Sequence, residues 1–181
     1  SELERVLDEM RKIIERLEEE LRKVLEDLRR IYEELKRKLD DSLRESERRV
    51  RELKEELDRK VRDKDKLREV KERIDDALRR SRKRIEDIKR KLDDALRRHA
   101  EDIERIIKEL RDILEELRKL IDKVRVEELK DTIDKVKKRV EDALEKNRRD
   151  IDESRKEVDD ELRKDEEKAE RLAREVEKAK E

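Results

Sequence analysis

The sequence predicts an all-α protein: a long, straight, antiparallel, up-down-up three-helix bundle of the coiled-coil type. Three observations predict it. Apolar residues recur with an eighteen-residue repeat, this repeat breaks near one third and two thirds of the length, and the 181 residues include no Gly, Pro or Cys. Sheets and irregular folds need Gly or Pro at their turns, so regular helix is the structure that remains.

The first helix is predicted over about residues 2–62. From Leu3, apolar positions fall at offsets of 0, 4, 7, 11 and 14 before the pattern begins again eighteen residues later. This spacing corresponds to about 3.6 residues per turn, whereas the heptads of natural coiled coils give about 3.5 and a left-handed supercoil. Helices that pack through this repeat should therefore run nearly straight.

The second helix is predicted over about residues 66–124, and its last stripe positions are Ile121 and Val124. It is preceded by a wholly charged run, residues 62–66, where the apolar stripe stops and restarts out of phase. Asp63 and Asp65 are suitable N-caps, because a carboxylate accepts hydrogen bonds from the unpaired amides of a helix's first turn.

The third helix is predicted over about residues 127–180. After Val124, both continuations of the stripe, Glu127 and Glu128, are charged, and the pattern restarts at Leu129 after an out-of-phase Val126. Short connections make sequential helices antiparallel. We therefore expect a single domain, residues 1–181, with a thicker core near the second connection and a thinner one near the first.

Six polar residues interrupt the apolar stripes, and we expect them to be structural buried polar residues: Ser46, Ser81, His99, Asn147, Ser154 and Asp165. Folding the chain about residues 64 and 126 pairs residues whose numbers add to about 127 in the first hairpin and near 253 in the second.

This register places Ser46 opposite Ser81 and His99 opposite Ser154. An unpaired buried polar group costs about 1–3 kcal/mol, which favours such pairing. Asn147 and Asp165 find no polar partner. A single Asn in an apolar seam often specifies register, and Asp165 would turn to the edge, toward a basic side chain, or lie in a hydrated layer.

The only histidine, His99, has two interpretations. As a general base it would be held by Ser154 or Tyr32, but a catalytic site also needs a cleft, an oxyanion donor or a metal, and each predicted layer is filled by its own side chains. We interpret His99 as a packed structural residue. We therefore predict no enzyme, no catalytic, cofactor-binding or metal site, and no cofactor.

Charge and hydropathy limit the partners. The 58 basic and 59 acidic residues are interleaved and give a net charge of −1, so no basic field is expected to attract nucleic acid. No apolar run approaches the ~20 residues of a membrane span, and the first residues lack the pattern of a signal peptide. We expect a soluble protein of cytosolic character, although the absence of Cys leaves its compartment undetermined.

Three near-copies of one segment begin at Leu39, Ile74 and Leu92 and read LDDSLRES, IDDALRRS and LDDALRRH. In this regularity the chain resembles de novo designed, parametrically generated helical bundles. The resemblance implies a hyperstable monomeric scaffold without native activity that requires no partner. Spectrin-like repeats are the nearest natural architecture, but the chain has no Trp. The alternative is a helical interaction module that self-associates or binds a partner helix through its apolar seam.

Overall fold

The computed structural model describes residues 1–120 and 122–181. Three helices occupy these ranges: α1 (Glu2–Lys60), α2 (Lys64–Lys119) and α3 (Lys123–Lys180). The described residues contain no strand, so the predicted all-α three-helix bundle is confirmed, whereas the predicted stripe position Ile121 lies outside them. Within the same ranges, no helix has a stretch both long and apolar enough to cross a lipid bilayer.

Aspartate caps define where α2 and α3 begin. Asp63 Oδ1 accepts hydrogen bonds from the backbone amides of Asp65 and Lys66, at 3.0 and 3.3 Å. Asp122 Oδ1 accepts one from the amide of Val124 at 3.2 Å. These carboxylates satisfy amides that have no partner inside the helix. Asp63 is confirmed as a cap, Asp65 lies inside the first turn of α2, and Asp122 is a second cap that was not predicted.

The helices end without glycine. None of the described residues has a positive φ, so these ends do not use the left-handed cap that usually recruits Gly. Basic side chains occupy the last turn of every helix, where they interact favourably with the negative end of the helix dipole: Arg59 and Lys60, Arg118 and Lys119, and Lys178 and Lys180.

The second connection lies earlier than predicted. Helix α2 ends at Lys119 and α3 begins at Lys123, several residues before the predicted limits of 124 and 127. Val124, predicted to close the α2 stripe, is 63% exposed, whereas Val126 is only 4% exposed. The reason is that Val126 lies three residues before Leu129, which is helical spacing, so Val126 starts the apolar stripe of α3.

The chain divides into two compact units, and each contains a segment of all three helices. The first unit consists of Ser1–Ile31 and Asp94–Asp152. Its interior includes fully buried aliphatic side chains from each helix: Ile14 and Leu21, Ile103 and Leu110, and Val140. The single domain over residues 1–181 stays a prediction.

The second unit consists of Tyr32–Asp93 and Glu153–Glu181. Its apolar cluster lies beside the first connection and contains Val50, Leu57, Val61, Val70, Ile74, Val176 and Ala179. Several leucines around this cluster are only partly buried: Leu53, Leu67, Leu78 and Leu172. Helix α3 contributes little to this interior, because Val158 is the one buried apolar residue between Val140 and Val176 in this fully described stretch.

Ion pairs reveal the register between α1 and α2. In the second unit, Lys36 Nζ lies 2.8 Å from Asp93 Oδ1, and Lys89 Nζ lies 2.9 Å from Asp40 Oδ1. The residue numbers of both pairs add to 129, as do those of the neighbouring pairs Lys54–Asp75 and Lys71–Asp58. The helices are therefore antiparallel and within one turn of the predicted sum of about 127.

The predicted register between α2 and α3 is wrong. Arg84 pairs with Glu161 and Lys91 with Glu157, so the residue numbers add to 245 and 248 instead of about 253. The error follows from the misplaced connection, since starting α3 earlier brings lower-numbered α3 residues beside each position of α2. Any polar pairing derived from the predicted sum is displaced by one to two helical turns.

Candidate functional site

A buried polar cluster lies in the second unit, where Ser81 and Arg84 of α2 meet Glu161 and Asp165 of α3. Ser81 is 7%, Glu161 4% and Asp165 7% exposed. Glu161 and Asp165 are four residues apart and so share one face of α3. Two carboxylates thus occupy positions at which the neighbouring helices bury mainly aliphatic residues.

The cluster is held by side-chain hydrogen bonds between the two helices. Ser81 Oγ donates to Asp165 Oδ1 at 3.1 Å, and Arg84 Nε donates to Glu161 Oε2 at 3.3 Å. The outer nitrogen Arg84 Nη2 lies 3.8 Å from Glu157 Oε1. Arg84 therefore links a buried carboxylate to a more exposed one.

Asp165 is the most perturbed member of the cluster. Burial raises the pKa of its carboxyl above the ordinary value, and the nearby charge of Glu161 raises it further, while the Ser81 hydrogen bond and the charge of Lys168 act in the opposite direction. Its Oδ2 atom is buried and has no hydrogen-bond partner among the described residues. This oxygen therefore lacks an N–H or O–H donor, and the neighbouring Glu161 carboxyl can hydrogen-bond to Asp165 only while one of the two carboxyls is protonated, which also raises the pKa of Asp165.

This arrangement predicts a pH-dependent effect of Asp165→Asn. Asparagine keeps an acceptor for Ser81 but carries no charge. Because the folded-state pKa is raised, the native protein loses stability as pH rises from the unfolded value, about 3.8, through the raised folded value. We expect the variant to match the parent at acid pH and to exceed its free energy of unfolding by about 1–2 kcal/mol at neutral pH.

Urea denaturation between acid and neutral pH measures this difference. Asp159→Asn is the matched control, because Asp159 is exposed on the same helix and should change the free energy of unfolding by less than about 0.5 kcal/mol. A gain for Asp165→Asn that is the same at every pH, or a loss at neutral pH, would contradict the prediction.

A cavity of about 360 Å³ adjoins the cluster within the second unit. Ser46, Ser81 and Asp165 all line it. The predicted pairing of Ser46 with Ser81 stays a prediction, and the Ser81 hydroxyl donates its hydrogen bond to Asp165. Small side chains at Ala77 and Ala169 leave the space open, in keeping with the thinner core predicted near the first connection.

His99 belongs to the first unit, where it is 3% exposed. Its Nε2 lies 2.9 Å from Asp150 Oδ2, an ion pair when the imidazole is protonated, although the two groups are not aligned as a hydrogen bond. The predicted partner Ser154 is replaced by Asp150, one turn earlier on α3, which is the direction of the register error. His99 is thus a buried residue whose imidazole lies beside the Asp150 carboxylate.

Among the six predicted polar positions, four are buried and two are half-buried. Ser81, His99, Asn147 and Asp165 are buried, whereas Ser46 and Ser154 are half-buried. Asn147 Nδ2 is buried without a hydrogen-bond partner in the described part of the chain, as expected for a residue that was assigned none. Asp165 does not lie at the edge beside a basic side chain; it is buried and accepts a hydrogen bond from Ser81.

Glu161 was not among the residues predicted to be buried. The eighteen-residue repeat placed the neighbouring Leu162 on the stripe, yet Leu162 is half-exposed and Glu161 buried. Positions 158, 161 and 165 lie on one face of a helix, and so do positions 158, 162 and 165. Nothing in the spacing favours burial of the glutamate over the leucine.

No group of three or more potential ligands able to hold a metal ion occurs among the residues that the structure describes. The chain matches no protein-family model, no curated protein and no solved structure.

Proposed function

We propose that the chain is a structural scaffold of the designed helical-bundle type, defined by its fold, stable as a monomer and without catalytic activity. The observation that supports this most directly is that Val124 is the one exposed large hydrophobic residue in the described part of the chain. Apolar seams that serve intermolecular helices must remain accessible, and here the aliphatic stripes pack within the chain.

The charged surface supports the same proposal. Neighbouring turns carry opposite charges, as where Arg48 contacts Glu45 at 2.5 Å and Glu52 at 3.1 Å. Pairs of this kind add about 0.2–0.5 kcal/mol each to an isolated helix, and mixed surface charges oppose association between copies. Their contribution to solubility outweighs their contribution to stability, since they are exposed.

The proposal predicts a monomer with a very high melting temperature. Size-exclusion chromatography with light scattering, repeated over a wide range of protein concentrations, should give a constant mass near 22.4 kDa. Circular dichroism should show a cooperative transition above about 90 °C. A mass that rises with concentration would contradict the proposal.

The alternative function is a helical interaction module, and the partly buried leucines Leu53, Leu78 and Leu172 beside the cavity favour it. A second helix placed there would cover them. Leu78→Glu should then abolish any association detected by light scattering, whereas Val124→Glu, at an exposed position in the other unit, should not. If the parent chain is already monomeric, neither variant should change its mass.

A further inference from the structure

The cavity of the second unit has the features of a binding site for a particular ligand class. We propose that it binds a small organic cation, a protonated amine attached to an apolar body of aromatic-ring size, and that Asp165 is the residue that receives the ammonium group. This inference is independent of the scaffold role, because it concerns a cavity that the chain contains whether or not it associates.

Asp165 supplies the first argument. It lines the cavity, it is 7% exposed, and its Oδ2 has no hydrogen-bond partner among the described residues. A buried acceptor without a donor is unfavourable, and a charged donor satisfies it with a shorter and stronger hydrogen bond than a neutral one. An ammonium group is such a donor.

The charge around the cavity supplies the second argument. Acidic side chains outnumber basic ones on its wall, with Glu52, Glu56, Asp165 and Glu170 against Arg49 and Lys168. Three nearby carboxylates are paired with cations outside the cavity, namely Glu52 with Arg48, Glu56 with Lys180 and Glu161 with Arg84. The negative charge that a cation meets in the cavity therefore rests on Asp165 and Glu170, and an anion would be repelled by these two carboxylates.

The shape of the cavity supplies the third argument. Its volume, about 360 Å³, lies within the range of about 300–1,000 Å³ that is usual for small-molecule sites. Apolar walls come from all three helices, namely Val50 and Leu53, Leu78, and Leu172. A ligand body of aromatic-ring size thus contacts aliphatic side chains while its charged end lies at Asp165.

Binding should depend on pH, because the ammonium requires the ionised form of Asp165. Burial and Glu161 raise the pKa of the Asp165 carboxyl in the empty site, so the cation must release a proton from it at low pH. The other charged groups that line the cavity are Lys168 and Glu170 on α3 and Arg49, Glu52 and Glu56 on α1, whereas the lining residues of α2 are uncharged. Affinity for the cation, relative to a neutral ligand of the same shape, should therefore rise with pH.

Three compounds of similar shape test the proposal on the whole chain: 2-phenylethylamine, 2-phenylethanol and phenylacetate. Amide chemical shifts followed by NMR at neutral pH give both the affinity and the location of binding. We expect the amine to bind at least about ten-fold more tightly than the alcohol, because one charge-assisted hydrogen bond contributes about this much after the cost of desolvating the ammonium. Phenylacetate should bind more weakly than both.

Two variants locate the effect. Asp165→Asn retains the acceptor for Ser81 and should bring the ratio of amine to alcohol affinity close to one. Ala169→Leu should fill the cavity and weaken both ligands together. If Asp165→Asn does not fold, the ratio of amine to alcohol affinity is measured in the unchanged chain at several pH values, and it should rise with pH.

Equal affinity for amine and alcohol would overturn the proposal, as would a preference for the amine that persists in Asp165→Asn or is constant with pH. Binding that survives Ala169→Leu unchanged would show that the ligand lies elsewhere. Absence of binding by all three compounds at about 10 mM, a concentration at which ligands of this size still register in a real site, would show that only water occupies the cavity.

Discussion

Ile74→Ala should lower the free energy of unfolding by about 2–5 kcal/mol, the loss typical of removing a large aliphatic side chain from a packed interior. Ile74 is fully buried in the apolar cluster of the second unit, together with Leu57 of α1 and Val176 of α3. The variant leaves a void that rigid neighbours fill only partly. Urea denaturation followed by circular dichroism measures the difference.

Leu78→Ala is the matched control, one turn further along α2. Leu78 is only partly buried and already borders the cavity, so its removal deletes fewer contacts and should cost distinctly less than the change at Ile74. If the two variants lose the same free energy, the cavity does not exist in solution and the interior near the first connection is packed as densely as the cluster.

Arg84→Met should cost about 2–4 kcal/mol. Glu161 is 4% exposed, and removing the guanidinium bonded to it leaves a buried carboxylate without its cation, a change that costs about 3–5 kcal/mol when both groups are buried. The Arg84 side chain is 45% exposed, so the expected loss is smaller than that full value. Methionine retains the apolar stem, and the loss therefore reports on charge.

A double-mutant cycle separates this electrostatic cost from packing. In a Glu161→Gln background, Arg84→Met should cost less than about 1 kcal/mol, because no buried charge remains to be compensated. Arg90→Met is the surface control: its pair with Asp87 is exposed, and such pairs contribute about 0.5 kcal/mol or less. Equal losses of unfolding free energy in the parent and Glu161→Gln backgrounds would mean that Arg84 stabilises the fold by packing of its aliphatic atoms and not by its charge.

The fold class and the first hairpin were predictable from the sequence because they depend on features repeated many times. The apolar stripe predicts which face of α1 and of α2 is buried, and the charged break at residues 62–66 places the turn within a few residues. Errors at single positions cancel over a helix of 59 residues. The predicted α1–α2 register therefore agrees with the observed one to within one helical turn.

The register of the second hairpin depends on whether Val124 or Val126 is buried, and the eighteen-residue repeat does not determine this. Val124 and Val126 are both apolar, and only one can face the interior. The cap at Asp122 decides in favour of Val126, and its effect is carried along the whole of α3. The α3 partner of His99 was therefore mispredicted and Asp165 was not matched with Ser81, although the burial of Ser81 and His99 was predicted.

The polar cluster required more than register. Whether Glu161 or Leu162 turns inward depends on the rotation of α3 about its own axis, and a hydrogen-bonded arginine across the interface stabilises the glutamate. A pattern of apolar residues contains no information on such a pair. The cavity is equally hidden, since it arises from the coincidence of small side chains on separate helices.

The sparse apolar face of α3 has a consequence for how the protein opens. Between Val140 and Val176, a fully described stretch, only Val158 is a buried apolar residue, whereas successive buried aliphatic residues of α1 and of α2 are at most eleven positions apart. Local opening free energy follows the number of buried apolar contacts. We therefore expect the middle of α3 to open more readily than the central turns of α1 and α2, which native-state hydrogen exchange would detect as faster exchange of its backbone amides.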